Sequence, residues 1–474
     1  MKLNQLIDYY NKLSTNKIFF VSVIVSLGFI LGYFCAKSPY IEKMNYLIVG
    51  GIIFVRFYKI INPYYFFIIF LVLNQFVQIE AGASLTGGFL GYIVCLFLLY
   101  INKGKNFFKR LDFAKFILEE KILFFLCLFC LFTLIQSIYI ADNTISIRNT
   151  FVDVPGVRSL IITFSYLLVF SIIFIFFREK NNEIFLKLIN IFLYLMAGVC
   201  IFSLLGYASH FFGFIPKLQI WGHFLTTDEL IVRIRGTAHE PVAFTIYLIV
   251  SFFFALLLFT INRLKTYLFF IFLFALTLIL TFSRGGILAF FVGLFCFFII
   301  GFISRALPRR LFLIMLVSIC LIMLIGYYVY LNNKFFALLI DTKVLHIFMK
   351  QEYLGFYERD LSAIVRIADL TVVKRVFNDF PLMGIGIGNL VYHSYKYFVY
   401  IPWLTDVYSE VFCTVGNLYS LLLIEIGFIG FILFVLFLVV NLFRSFLNLF
   451  ISQDLLNKNI FLIFIGLQIS LIIY

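Results

Sequence analysis

Charge is scarce in this sequence. Only 13% of its residues are charged while 64% are hydrophobic, and the mean hydropathy is +1.08. Soluble domains hold about 25% charged and roughly 45–50% apolar residues. A chain of 474 residues with so few charges cannot cover its apolar surface in water, which excludes a soluble fold. Alternating segments of roughly ten residues are also missing, and that excludes a membrane β-barrel. Metal-ligand spacing is missing too: His210, His223, His346 and His393 stand apart from one another, so no metal is expected. Of the eight Cys, only Cys413 falls clearly in a loop. Cys127 and Cys130 form a C-x-x-C inside LFFLCLFCLF, which reads as packing, so no structural disulfide is expected. The first apolar run is long enough to span and has no small-residue cleavage site, so no cleavable signal is expected. No internal repeat is evident.

What is present is long apolar runs between short polar ones. The expected fold is an all-α polytopic membrane protein over 1–474, a single integral membrane domain. Spans are expected at 18–35, 46–58, 63–77, 87–101, 122–140, 159–177, 188–207, 242–261, 267–282, 286–303, 311–330, 418–440 and 460–474. That gives about 12–13 transmembrane helices, the lower number if the last run is re-entrant or interfacial. The net charge of +14 follows the positive-inside rule and implies no nucleic-acid partner. Lys103, Lys105, Lys109, Arg110, Lys115 and Lys121 crowd one loop, and with their interleaved apolar residues they read as a basic amphipathic helix on the cytoplasmic leaflet. This register puts two larger loops on the opposite, outer side. They are 209–241 and the large polar segment 332–417.

Four clusters lie on that outer side. Arg233, Arg235, His239 and Glu240 precede Pro241, which suits the first turn of a helix. A helix start there favours an ionised Glu240 or a bound phosphate. Ser283-Arg284-Gly285-Gly286 forms a tight turn between two spans, and a cation in that place is expected to face an anion inside the bundle. Residues 359–378 read as an amphipathic helix with Arg359 and Arg366 on one face. Asp379-Phe380-Pro381 ends it, and Gly384-Ile-Gly386-Ile-Gly388-Asn389 follows. No strand precedes those glycines, so they predict a close-packed backbone turn and not a dinucleotide site. Asn417 suits an N-cap, and Glu425 lies about two turns into the next span, where an acid is either paired or functional.

These stretches, RIRGTAHEPVAF, SRGGILAFFVGLF, Arg366 with FNDFPLMGIGIGNL, and NLYSLLLIEIGFIGF, resemble the O-antigen polymerase/O-antigen ligase superfamily in content and order. The resemblance covers about Arg233 to Leu436. It implies a GT-C-like glycosyltransferase in the bacterial inner (cytoplasmic) membrane, multi-pass, with its active site facing the periplasm. It implies no cofactor and no metal. The partners it implies are undecaprenyl-diphosphate-linked glycans as donor and acceptor, membrane lipids and a chain-length regulator protein. Ligases of the superfamily carry a His before the last long span, where this chain has Asn417. That departure favours a polymerase of repeat units over a ligase that moves polymer to lipid A core. Under this reading Arg233, Arg235, Arg284 and Arg366 bind diphosphate, and His239 or Glu240 takes the acceptor proton. Asn417, Glu425, Arg359 and Gly386 support them. A lipid-linked oligosaccharide transporter, a third reading, predicts an inverted repeat and charges at mid-span, whereas no repeat is evident and the spans are nearly charge-free at their centres.

Overall fold

The computed structural model describes residues 128–129, 131–136, 163, 182–211, 225–227, 232–236, 241–307, 324, 327–328, 331–332, 361–390, 397 and 418–474. They fall into two compact units. The first takes in the described residues of Leu168–Ala306 and Ser445–Tyr474, and the second those of Asp112–Leu167 and Leu307–Arg444.

The first unit is a helical bundle with a small hairpin at one end. Its elements are α1 (Asn182–Phe211), β1 (Leu225–Thr227), β2 (Val232–Ile234), α2 (Pro241–Asn262), α3 (Lys265–Leu280) and α4 (Arg284–Ile303). The end of α6 (Leu418–Ile451) and all of α7 (Leu455–Ile473) complete it. α2 is apolar on every side, the pattern of a helix enclosed by others. It packs against α1, α3, α4 and α7, and Phe244, Leu248, Ile249 and Phe253 on it are fully buried. The apolar windows of α1 and α2 are 56% buried and those of α4 and α7 only 33%, so α1 and α2 are the interior helices. Leu268, Phe272, Leu276 and Ile279 make an exposed stripe along α3. Such a patch is anomalous in water but ordinary against lipid tails. α4 and α7 approach closely because Gly293 faces Gly466 and Ser470, where any side chain on Gly293 would overlap the Ser470 hydroxyl.

In the second unit, α5 (Leu361–Asp379) runs into a glycine loop that docks on the outer part of α6. Val372, Val373 and Val376 of α5 share a buried cluster with Ile385, Leu390, Tyr397 and Ile424. α6 is broken at Gly427, whose φ of 65° and ψ of −176° belong to neither half-helix. A break leaves backbone groups without helical partners, and membrane proteins allow it only where other groups replace them. Here the loop does so. Ile385 and Gly386 N–H donate to the carbonyls of Ile424 and Glu425 at 3.0 and 2.8 Å, and Phe428 N–H donates to Pro381 at 2.9 Å. Gln136 adds its side-chain amide, donating to Glu425 O at 2.6 Å and to Met383 O.

Five described helices are long and apolar enough to cross a membrane: α1 (from Phe185), α2, α4, α6 and α7. Each falls on an expected span, and the all-α membrane class holds. The bounds differ in places. α6 runs on to Ile451, past the expected 440, and α7 begins at Leu455, so the final run is long enough to span. Residues 225–234, expected as loop, hold the antiparallel pair β1–β2. Apart from 128–129, 131–136, 163, 324 and 327–328, the expected spans at 18–177 and 311–330 lie outside the described residues, as do Cys127, Cys130, the basic stretch 102–121 and most of 332–417.

Candidate anion site at the end of the first unit

β2 reads Val-Arg-Ile, with Val232 and Ile234 buried and Arg233 between them half-buried. Alternation along a strand puts Arg233 and Arg235 on one face and the two apolar residues on the other. The register pairs Arg233 with Thr226. Gly236 follows with φ 59°, and a side chain there would overlap the ring of Phe244 on α2. The strand end is therefore seated directly on α2.

The Arg233 side chain reaches the end of α3. Its Nε donates to the Thr281 carbonyl at 3.1 Å, and Nη2 reaches the Phe282 carbonyl at 3.5 Å. Those carbonyls need donors. α3 is 16 residues long, which makes it about 24 Å, shorter than the ~30 Å hydrocarbon core. Phe282 turns the chain with φ 50°, a left-handed conformation costing about 1–2 kcal/mol for a residue with a Cβ.

α4 starts two residues on. Ser283 holds the N-cap position in an extended conformation, and its carbonyl accepts the Ile287 N–H at 2.8 Å. Its own N–H donates to Thr281 Oγ1 at 3.2 Å. The Ser283 hydroxyl does not cap the helix. It is buried and has no hydrogen-bond partner among the described residues. Arg284 is the first helical residue, and Gly285 is exposed with nothing near its Cα. A side chain on Gly286 would overlap Thr245 near the start of α2. The first turns of α4 and α2 therefore lie side by side. Both present the positive end of a helix dipole, and the first-turn N–H groups of a helix have no partner within the helix itself. Burial pushes the Arg235 guanidinium below its usual range. An anion beside it would offset that desolvation cost.

The structure thus brings Arg233 to the turn that carries Ser283 and Arg284, and sets Arg235 two residues along the same strand face. The chemistry gathered at this end, guanidinium groups beside helix N-termini, is of the kind that suits an anion. The other expected site residues are placed less completely. His239, Glu240, Arg359 and Asn417 lie outside the described residues. Arg366 sits in helix α5 of the second unit, and its side chain also lies outside them. Gly386, with φ 89°, is where expected, in a close-packed turn. Glu425 is buried at 6% exposure, beside the break in α6. Sequence reasoning missed Gln136, Thr281 and the hairpin. The alternation in Val-Arg-Ile-Arg was the available signal for the strand. The bond from Gln136 crosses 289 residues, and no local pattern announces it.

Residues 268–435 match the sequence model of a family described as O-Antigen ligase. No curated protein matches the chain. The matched stretch begins inside α3 and ends inside α6, so it includes Arg284, Arg366, Gly386, Asn417 and Glu425. Arg233, Arg235, His239 and Glu240 precede it. Over those residues the chain is similar to that family, which supports the O-antigen ligase/polymerase superfamily, and the apolar helices mark a multi-pass membrane protein.

Proposed function

We propose that the protein is a metal-independent polymerase. It joins undecaprenyl-diphosphate-linked oligosaccharide repeat units into O-antigen or a related surface polysaccharide, at the periplasmic face of the inner membrane. The observation that supports this best is the joining of Arg233 to the turn before Arg284, at the end where α2 and α4 present their N-termini. In the reaction an acceptor hydroxyl oxygen bonds to the anomeric carbon. The anomeric C–O bond breaks, its electron pair leaves with the lipid diphosphate, and the hydroxyl proton passes to His239 or Glu240. Charge grows on the diphosphate as that bond breaks. Preformed cations and helix N-termini act most where charge develops, in a site shielded from bulk water. A planar guanidinium fork suits phosphate oxygens better than an ammonium does. Arg235 and Arg284 take this role in the first unit and Arg366 in the second, with Asn417, Glu425, Arg359 and Gly386 in support. A chain-length regulator protein is a natural partner.

The second reading is ligation of finished polymer to lipid A core, and the description of the matching family favours it. Asn417, standing where ligases carry His, favours polymerisation. Complementation of a deletion strain separates the two. Polymerase loss leaves surface glycan of single repeats, and ligase loss leaves unmodified core with polymer held on the carrier lipid. Alanine at Arg235, Arg284 or Arg366 should cut transfer on the order of 10²–10³-fold. Wild-type polymer from all three variants would discard the diphosphate pocket.

A further inference from the structure

Resting on that reading of the site, we infer that Arg233 is a positioning residue. It ties the β1–β2 hairpin to the α3–α4 turn and so fixes the stretch that carries Arg235, without itself gripping the diphosphate. Its Nε and Nη2 already face the carbonyls of Thr281 and Phe282. The Thr281 carbonyl belongs to the C-cap at the negative end of α3 and the Phe282 carbonyl to the turn just beyond it, and a basic side chain there is a helix C-terminal partner. Arg284 is in the opposite situation. It stands at the positive end of α4, where a cation is not favoured by the helix dipole and a bound anion is. Two arginines close in space thus face helix ends of opposite sign, and this divides their work.

Besides the packing of its strands against α1 and the burial of Val232 and Ile234, the hairpin is held at both ends of the Arg233–Gly236 stretch. Gly236 is seated on the Phe244 ring, and Arg233 is bonded to the α3–α4 turn. Arg235 is the residue between those two anchors. Without the Arg233 bond the hairpin keeps its packing on α1 and α2 but loses its tie to the α3–α4 turn, and a strand of three residues has little stiffness of its own to keep Arg235 in place. The turn loses as well, because Phe282 keeps its left-handed conformation next to carbonyls that have lost a donor. A small displacement of a site cation costs much of its effect on a bound anion.

A lysine separates tie from grip. An ammonium can still donate to backbone carbonyls, but it cannot make the planar two-point contact with phosphate. The experiment uses the full chain in nanodiscs, with two readouts. Hydrogen exchange is followed over 281–287, where Thr281, Phe282 and Ile287 N–H are bonded in the turn. Binding is titrated with undecaprenyl diphosphate. Expected for Arg233→Ala are faster exchange over 281–287 and binding weaker by about tenfold. Arg233→Lys should restore both to within about twofold, whereas Arg284→Lys should stay as weak as Arg284→Ala. Wild-type exchange and binding in Arg233→Ala would overturn the inference alone. So would Arg233→Lys binding as poorly as Arg284→Lys, because Arg233 would then touch the diphosphate. Undiminished binding by Arg235→Ala and Arg284→Ala would instead overturn the diphosphate reading and the role given to Arg235, while the exchange data would still decide the tie.

Discussion

At the scale of single residues, the end of the first unit depends on Gly236 and Arg233. Gly236 combines a left-handed φ of 59° with direct contact to Phe244, which is itself fully buried. Gly236→Ala therefore meets two penalties, backbone strain and an overlap that the buried ring cannot relieve by turning outward. The expected loss is about 2 kcal/mol of stability, read as a lower midpoint in thermal unfolding by fluorescence-detected size exclusion. A midpoint equal to wild type would mean that the hairpin is not seated on α2. The arginines of this hairpin were visible in the sequence as unexpected cations on the outer side. Their strand was not. Two strands of three residues give too few alternations for a period of two to stand out, and Thr226 and Arg233, which pair across it, both suit a loop equally well.

At the scale of elements, the helices of the first unit were legible because each is built round a long apolar run whose few charges lie near its ends. The end of α5 at Asp379, just before Phe380-Pro381, was legible for the reason given by proline stereochemistry. The break in α6 was not. Glycine is common in membrane helices, so IGFIG inside an apolar run reads as continuous helix. What opens it is the loop from Pro381 to Gly386, distant in sequence, which supplies donors and acceptors to both sides of the gap. The glycines of that loop have φ of 70° at Gly384 and 89° at Gly386. Gly427 pairs with them in a conformation that only glycine adopts readily. Gly427→Ala is expected to abolish monodisperse protein on size exclusion, because its Cβ would overlap the Leu382 carbonyl and the ladder on both sides would part. A stable, monodisperse Gly427→Ala protein would show that α6 can close into one helix without the loop.

At the scale of the molecule, the first unit fixes which turns share a side. α2 and α4 begin where α3 and α7 end, because Arg233 bonds the end of α3, Gly286 abuts Thr245, and the Tyr474 hydroxyl donates to Val242 O. Leu264, Arg305 and Gln453, all exposed, then lie together at the opposite end from Gly285. In a cysteine-free background, a thiol reagent that cannot cross the membrane should label Gly285→Cys from outside intact cells and leave Leu264→Cys, Arg305→Cys and Gln453→Cys untouched. Labelling of Gly285→Cys together with any of the three would refute the arrangement. Composition was enough to identify the membrane class, since helices sealed by their own hydrogen bonds are the main way for such a chain to cross lipid. Which arginines meet at one end depended on packing that composition does not encode. The broken helix also fixes a height. The residues 426–443 of α6 carry no charge and lie between Glu425 and Arg444, a length of roughly 27 Å against a ~30 Å hydrocarbon slab. Glu425 therefore sits at the rim of the oily layer and not within it. The two turns above it, with the docked glycine loop, stand at the level of the lipid headgroups, where the phosphates of any carrier lipid travel.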